Sequence, residues 1–247
     1  MLKLRSSSRA ALVGTAVLLT PFAAEAAQTI PFVGCPSDGQ QGPIGAPKGQ
    51  PKALDVDPAA AKALAWYQGQ YSAGALAPRG WKCFSFYGSS GVTLTIAPSG
   101  KLDDPSQPIA GPAVTLVDDI GGTSGRFAVA KIAARVFADQ EKAFVASVIA
   151  EGIEPKENFP AGPDLTDKLT YKTPTLVAFA TPAGKDGLGT SRRLAKSALP
   201  VVGLAKLVGA AEEPDLYLLA VRLPAAQANL TAAIVSAAEA TLPNSSP

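Results

Sequence analysis

The sequence predicts an α+β domain: a mostly antiparallel sheet with about three helices packed on one face, preceded by a Pro/Gly-rich arm. Three observations lead there. Strand-like segments, alternating or continuously apolar, outnumber amphipathic helical ones. Most follow one another through short turns, with no room for crossover helices. Gly (23) and Pro (22) together make up about 18% of the 247 residues, above the average of roughly 12% but below the roughly 25–30% of low-complexity chains.

Residues 27–56 carry Pro31, Pro36, Pro43, Pro47 and Pro51 and read as an extended arm. Asp57-Pro58 is a cap-and-first-turn pair, so a helix is expected from there to about Gln68, with Leu64, Trp66 and Tyr67 on its core side. Lys82 to Tyr87 and Val92 to Ile96 flank Gly88-Ser89-Ser90-Gly91 and form a hairpin with a four-residue turn. Ala113 to Val117 is a strand. Residues 126–138 fit both periods in part and are assigned to strand. Asp139 is taken as the cap of a helix with Phe144, Val145, Val148 and Ile149 on one face and Gly152 at its end. Residues 153–168 form a Pro-rich loop and the one candidate sub-boundary. Thr175 to Ala180, Val201 to Val208 and Leu216 to Arg222 are strands. Pro224 opens the last helix, with Leu230, Ile234, Ala238 and Leu242 on one stripe. The expected organisation is a leader over 1–26, the arm, a single domain over 57–242 and a frayed tail over 243–247.

The leader is read from Lys3, Arg5 and Arg9, then an apolar stretch from Ala10 to Ala24, then Ala24-Glu25-Ala26 in the small-x-small form of a signal-peptidase site. This predicts export, to the periplasm or beyond. Removing it takes three of the 22 basic residues and one of the 20 acidic, leaving 19 of each. A neutral chain argues against nucleic acid as partner, and no later segment has the length and apolarity of a membrane span. In an oxidising compartment Cys35 and Cys83, the only two cysteines, are expected to pair. Lipidation of Cys35 is the alternative, since Val33-Gly34-Cys35 has a faint lipobox form.

The absence of His closes off Ser-His-Asp and Cys-His catalysis and His-ligated zinc, and two Cys cannot build a thiolate metal site. No catalytic residue, metal or cofactor is assigned. The strongest ligand candidate is Gly184 to Arg193: Gly187 and Gly189 for close backbone approach, Thr190 and Ser191 for hydroxyls, Arg192 and Arg193 for planar donors. That set points to a small anion. Trp81, in the aromatic run to Tyr87, is the second candidate, as a stacking platform or an interface anchor. The adjacent pairs Asp103-Asp104, Asp118-Asp119 and Glu212-Glu213 read as solvated turns, because neighbours on a strand point to opposite faces.

Three patches resemble stretches of exported bacterial proteins of unknown function: Ala77-Pro78-Arg79-Gly80-Trp81 through Tyr87-Gly88-Ser89, Gly187-Leu188-Gly189-Thr190, and Arg222-Leu223-Pro224. The resemblance implies export, with no activity or site residue attached to it. The favoured reading is a non-catalytic binding or interaction module taking a small anionic ligand or an envelope protein. Two alternatives stand beside it: a hydrolase of a cell-envelope substrate that works without His, and a structural envelope component.

Overall fold

The computed structural model describes residues 27–164 and 166–244. The leader and the last three tail residues lie outside the described residues. The segment expected as an arm is built into the molecule. Its strand β1 (Gln28–Ile30) pairs antiparallel with β4 (Lys52–Leu54), while β2 (Phe32–Gly34) and β3 (Ser37–Gly39) each join a different sheet. Proline lacks the N–H that a ladder needs, and these strands, set between prolines, are three residues each. Cys35, fully buried, is disulfide-bonded to Cys83 with Cα atoms 5.3 Å apart. By chain entropy a bridge across 48 positions is worth about 4 kcal/mol.

The Asp57 side chain accepts from the N–H groups of Ala59 (2.7 Å) and Ala60 (3.2 Å) and caps α1 (Pro58–Ala63). The helix then stops short of the expected Gln68. Leu64 to Gln68 is a strand, β5, paired with β2 on one side and with β6 (Ala75–Pro78) on the other. The alanines favour helix locally, but Trp66 and Tyr67 are buried in the sheet, and two strand partners outweigh propensity.

The expected hairpin forms from β7 (Lys82–Gly88) and β8 (Gly91–Ala97), with Gly88 opposite Gly91, so the turn has two residues, not four. A β-carbon at Gly91 would lie 1.9 Å from the Asp118 carbonyl oxygen, and its φ is 139°. Glycine here lets the hairpin close against β9 (Ala113–Asp119). Residues 126–136, assigned to strand from sequence, form helix α2 (Arg126–Val136). Val129, Ile132, Ala133 and Val136 recur at helical spacing and are buried together. Helix α3 (Lys142–Ala150) begins after Glu141, not at an Asp139 cap; Gly152, at φ 67°, follows its end as expected.

The remaining strands are β10 (Lys168–Thr173), β11 (Leu176–Thr181), β12 (Val201–Val208) and β13 (Asp215–Arg222). A 3₁₀ segment (Ala225–Leu230) leads into α4 (Thr231–Thr241). The main sheet has eight strands in the order β10-β11-β12-β13-β9-β8-β7-β3, antiparallel except for β3 beside β7. The architecture is α+β, with sheet predominant.

Helices cover both faces of this sheet, not one. Val129, Phe137, Phe144 and Val148 of the α2–α3 layer pack on Val117, Val177, Leu216 and Leu218. On the other face α4 and the β2-β5-β6 sheet place Ile234, Trp66 and Leu76 on Leu94, Ile96, Leu116 and Leu219. Every residue of β13 is buried as a result. Arg222, at its end, is fully buried; its guanidinium donates to the carbonyls of Ile109 (3.1 Å), Ala110 (3.3 Å) and Ala195, tying the Pro-rich segment before β9 to the sheet.

Candidate functional site

Antiparallel pairing sets one row of side chains across the middle of the main sheet. Tyr87 lies opposite Val92, Val92 opposite Asp118, Asp118 opposite Tyr217, and Tyr217 opposite Lys206. Directly opposed residues share a face, here the face of Leu94, Leu116 and Leu219. Asp119, the next residue on β9, points to the other face and is paired with Arg192. At the Tyr87 end of the row the chain leaves an open cleft of about 410 Å³, lined by Gln40, Gln41, Tyr71, Tyr87, Val92, Asp118 and Ile120, with Gly88 and Ser89 at the hairpin turn.

Hydrogen bonds hold the walls. The Tyr87 hydroxyl donates to the Gly42 carbonyl (2.6 Å), and Gln40 Nε2 donates to Ser89 Oγ (3.1 Å). Tyr71, 49% exposed, sets its ring 4.9 Å from that of Tyr87 at 58°. Asp118 is different. Its Oδ1 is buried and has no hydrogen-bond partner among the described residues. Burial, then the nearby carboxylates of Asp215 and Asp119, push its pKa up to about 7; the neighbouring Tyr217 hydroxyl pulls the other way. Tyr217 is raised in turn by burial and by Asp118 and Asp215. Asp215 accepts from the Gly121 N–H (2.8 Å), and Lys206 Nζ donates to the Leu242 carbonyl (3.1 Å) and Asn244 Oδ1 (2.7 Å). In this neighbourhood Asp118 Oδ1 and Ser85 Oγ are buried without a partner among the described residues.

The Gly-rich loop has the opposite character. Its backbone does cradle an anion, and that anion is the chain's own Asp167. The Asp167 carboxylate accepts from the Leu188 N–H (2.7 Å) and the Thr181 hydroxyl (2.6 Å). A β-carbon at Gly187 would lie 2.1 Å from Asp167 Oδ1, so the glycine there admits this carboxylate. Gly189 N–H donates to Thr181 Oγ1 (3.0 Å), Gly187 N–H to Thr190 Oγ1 (3.1 Å), and the Ser191 hydroxyl to the Leu188 carbonyl (2.8 Å). Arg193 is buried and donates to the carbonyls of Leu102, Asp104, Pro105 and Gln107. Arg192 is paired with Asp119. The donors expected for an external anion are engaged inside the fold.

Ser191 and Arg192 do border a groove of about 320 Å³ with Lys131 and Arg135 of α2. Each cation there has its own carboxylate: Lys131 with Glu154 (2.6 Å), Arg135 with Asp164 (2.8 Å), Arg192 with Asp119. Trp81 lies just before β7, half-buried against the α4-side core, its backbone N–H donating to the Tyr67 hydroxyl (3.2 Å). Six residues of strand separate it from Tyr87, roughly 20 Å, so the two rings do not share a platform. Among the described residues no group of His, Cys, Asp and Glu is placed to hold a metal, and no helix is long and apolar enough to cross a membrane.

Reading Asp118-Asp119 as a solvated turn is corrected: the pair ends a central strand, Asp119 is buried against Arg192, and Asp118 is partly buried between β8 and β13. The signal was in the alternation. Asp118 continues the Val114–Leu116 phase and Asp119 the opposite one. No protein-family model, curated protein or solved structure matches this chain.

Proposed function

We propose that the chain is an exported, non-catalytic binding module of the periplasm or the exterior, and that it takes a small ligand in the cleft over Asp118. One observation carries the reading: a partly exposed carboxyl, Asp118, in the wall of a 410 Å³ cleft that two tyrosines line. A ligand's donor at that carboxyl forms a charge-assisted hydrogen bond, stronger than a neutral one. Concave, mostly apolar space with one polar anchor is the usual form of a small-molecule site. The Cys35–Cys83 disulfide suits an oxidising compartment.

The hydrolase alternative needs two carboxyls facing each other across a substrate. Asp118 is the one carboxylate among the described residues lining the cleft, since Asp119 faces away. That favours binding over cleavage. The anion reading has its donors already engaged in the loop.

A thermal-shift panel of sugars, amines, phosphate and cell-wall fragments tests this. A ligand at 100 times its dissociation constant adds about 2.7 kcal/mol, or roughly 5–10 °C at this size. The expected shift is lost in Tyr71→Ala and kept in Arg192→Ala. A shift with the reverse pattern moves the site to the Gly-rich loop and overturns the proposal. No shift with any compound favours an envelope protein as partner.

A further inference from the structure

We infer that the cleft over Asp118 is built for a small organic ammonium ion: one positive nitrogen at the carboxyl, with its apolar body against Tyr71 and Tyr87. The inference rests on the cleft being the ligand site and adds the chemistry of what fills it.

The polar groups of the walls are largely paired with one another. Gln40 is engaged by Ser89, and the Tyr87 hydroxyl by Gly42. The one charged side chain of the lining is Asp118, with Gln41 and Tyr71 adding neutral polar groups. An ammonium presents donors only.

Charge points the same way. No Lys or Arg is among the residues lining the cleft, and behind Asp118 stands Asp215 on β13, with Asp119 on its own strand. Arg192 neutralises Asp119 from the opposite face, while Lys206, one strand beyond Tyr217, is turned to the C-terminal end of α4. Once Asp118 is ionised the local field at the cleft is negative, and an anion is repelled.

The apolar wall fits the rest of such a ligand. Tyr71, Tyr87, Val92 and Ile120 supply two aromatic faces and two aliphatic side chains. A cation within about 6 Å of a tyrosine face gains from the ring quadrupole, the more so where water is excluded.

Protonation adds a signature. Asp118 titrates near neutrality, facing Asp215 and Tyr217 from β13 and bordered by Tyr71 and Tyr87. An ammonium that keeps its own proton pairs with the ionised carboxylate. Below that pKa, binding releases the Asp118 proton to buffer, and affinity rises with pH until the carboxylate is fully ionised.

The experiment is calorimetric titration of the oxidised protein at pH 6 with three probes: phenethylammonium chloride, 2-phenylethanol as its neutral counterpart, and methyl β-glucoside. Each is run in two buffers of different ionisation enthalpy, against wild type, Asp118→Asn and Tyr71→Ala. The expected result is that phenethylammonium binds about tenfold or more tighter than phenylethanol and releases a proton. Asp118→Asn abolishes both the preference and the proton release, and Tyr71→Ala weakens phenethylammonium and phenylethanol alike. Equal binding of the alcohol and the ammonium, or an unchanged preference in Asp118→Asn, overturns the ammonium assignment. Binding of the glucoside alone, lost in Tyr71→Ala, overturns the ammonium and leaves the cleft as ligand site. If no probe binds, or binding ignores both substitutions, the assignment and the cleft fall together.

Discussion

Two carboxylates in this molecule sit in surroundings that look alike in outline and differ in completeness. Asp167 enters a glycine-lined loop and receives a backbone N–H and a hydroxyl, each within 2.7 Å. Asp118 lies in a cross-sheet row under two tyrosines and keeps one buried oxygen with no donor. Burial raises the pKa of both, but the hydrogen bonds to Asp167 work against the rise, while Asp215 and Asp119 add to it at Asp118. The loop's anion is part of the chain, while the cleft's ligand, on the function proposed above, comes from outside it. Glycines, hydroxyls and arginines mark an anion site only after their internal partners have been subtracted.

Breaking the loop's internal satisfaction produces the largest effect. Arg193 is buried and gathers four carbonyls from residues 102–107. Arg193→Ala strands those carbonyls and opens a cavity, and the expected loss is about 4 kcal/mol in chemical denaturation. A loss under about 1 kcal/mol, the scale of an exposed contact, means the guanidinium is free for an external ligand, and the contrast with the cleft collapses.

The cleft responds in the other direction. A carboxyl whose folded pKa is raised contributes stability that is present below its unfolded value, near 4, and lost as pH rises through about 7. Over that span the cost reaches about 4 kcal/mol. Asp118→Asn removes the titration but weakens the contact with Tyr217, so it is expected to be about 3 kcal/mol more stable than wild type at pH 8 and no more stable at pH 4. Urea unfolding at the two pH values measures the gap. A gap that stays closed at pH 8 shows that Asp118 is well solvated and that the cleft holds no unmet demand.

A smaller effect sharpens the loop side. Gly187→Ala forces its new β-carbon onto the Asp167 carboxylate and is expected to cost about 2 kcal/mol. Asp167→Ala loses two hydrogen bonds and costs a similar amount. The double variant is expected to cost less than the sum, because each change relieves the other. Strict additivity in this cycle places the carboxylate outside the cradle.

Much of the sheet was legible because its signals are local. The 82–96 hairpin, the strands read from Ala113, Val201 and Leu216, the Asp57 cap and the Leu230–Leu242 stripe depend on alternation, a cap or a 3.6-residue period. The failures are non-local. Leu64 to Gln68 is strand because β2 and β6 are on either side of it, and Arg126 to Val136 is helix although Phe127, Val129 and Ile132 also suit a strand. The site was hidden for the same reason. Nothing in Asp118-Asp119 shows that β13 will bring Asp215 and Tyr217 beside one carboxyl and that Arg192 will take the other. The Gly-rich loop was conspicuous because its donors are contiguous, while Asp167, Asp104 and Asp119, whose groups satisfy them, lie 21 or more positions away from the loop donors they meet.

Tyr71 makes the smallest change in stability and decides the most about the cleft. It is half exposed, belongs to no strand or helix, and meets the rest of the molecule through the Tyr87 ring. Tyr71→Ala is expected to shift the unfolding free energy by no more than about 0.5 kcal/mol, the usual range for a surface position. An aromatic side chain this exposed, held against a second ring beside an unpartnered carboxyl, gains its missing contacts only when something enters the cleft. The variant should therefore fold like wild type and lose ligand affinity, separating binding from stability as no buried residue of the row can. If Tyr71→Ala instead costs 2 kcal/mol or more, its ring is a structural cover for the row, and the openness that distinguishes Asp118 from Asp167 disappears.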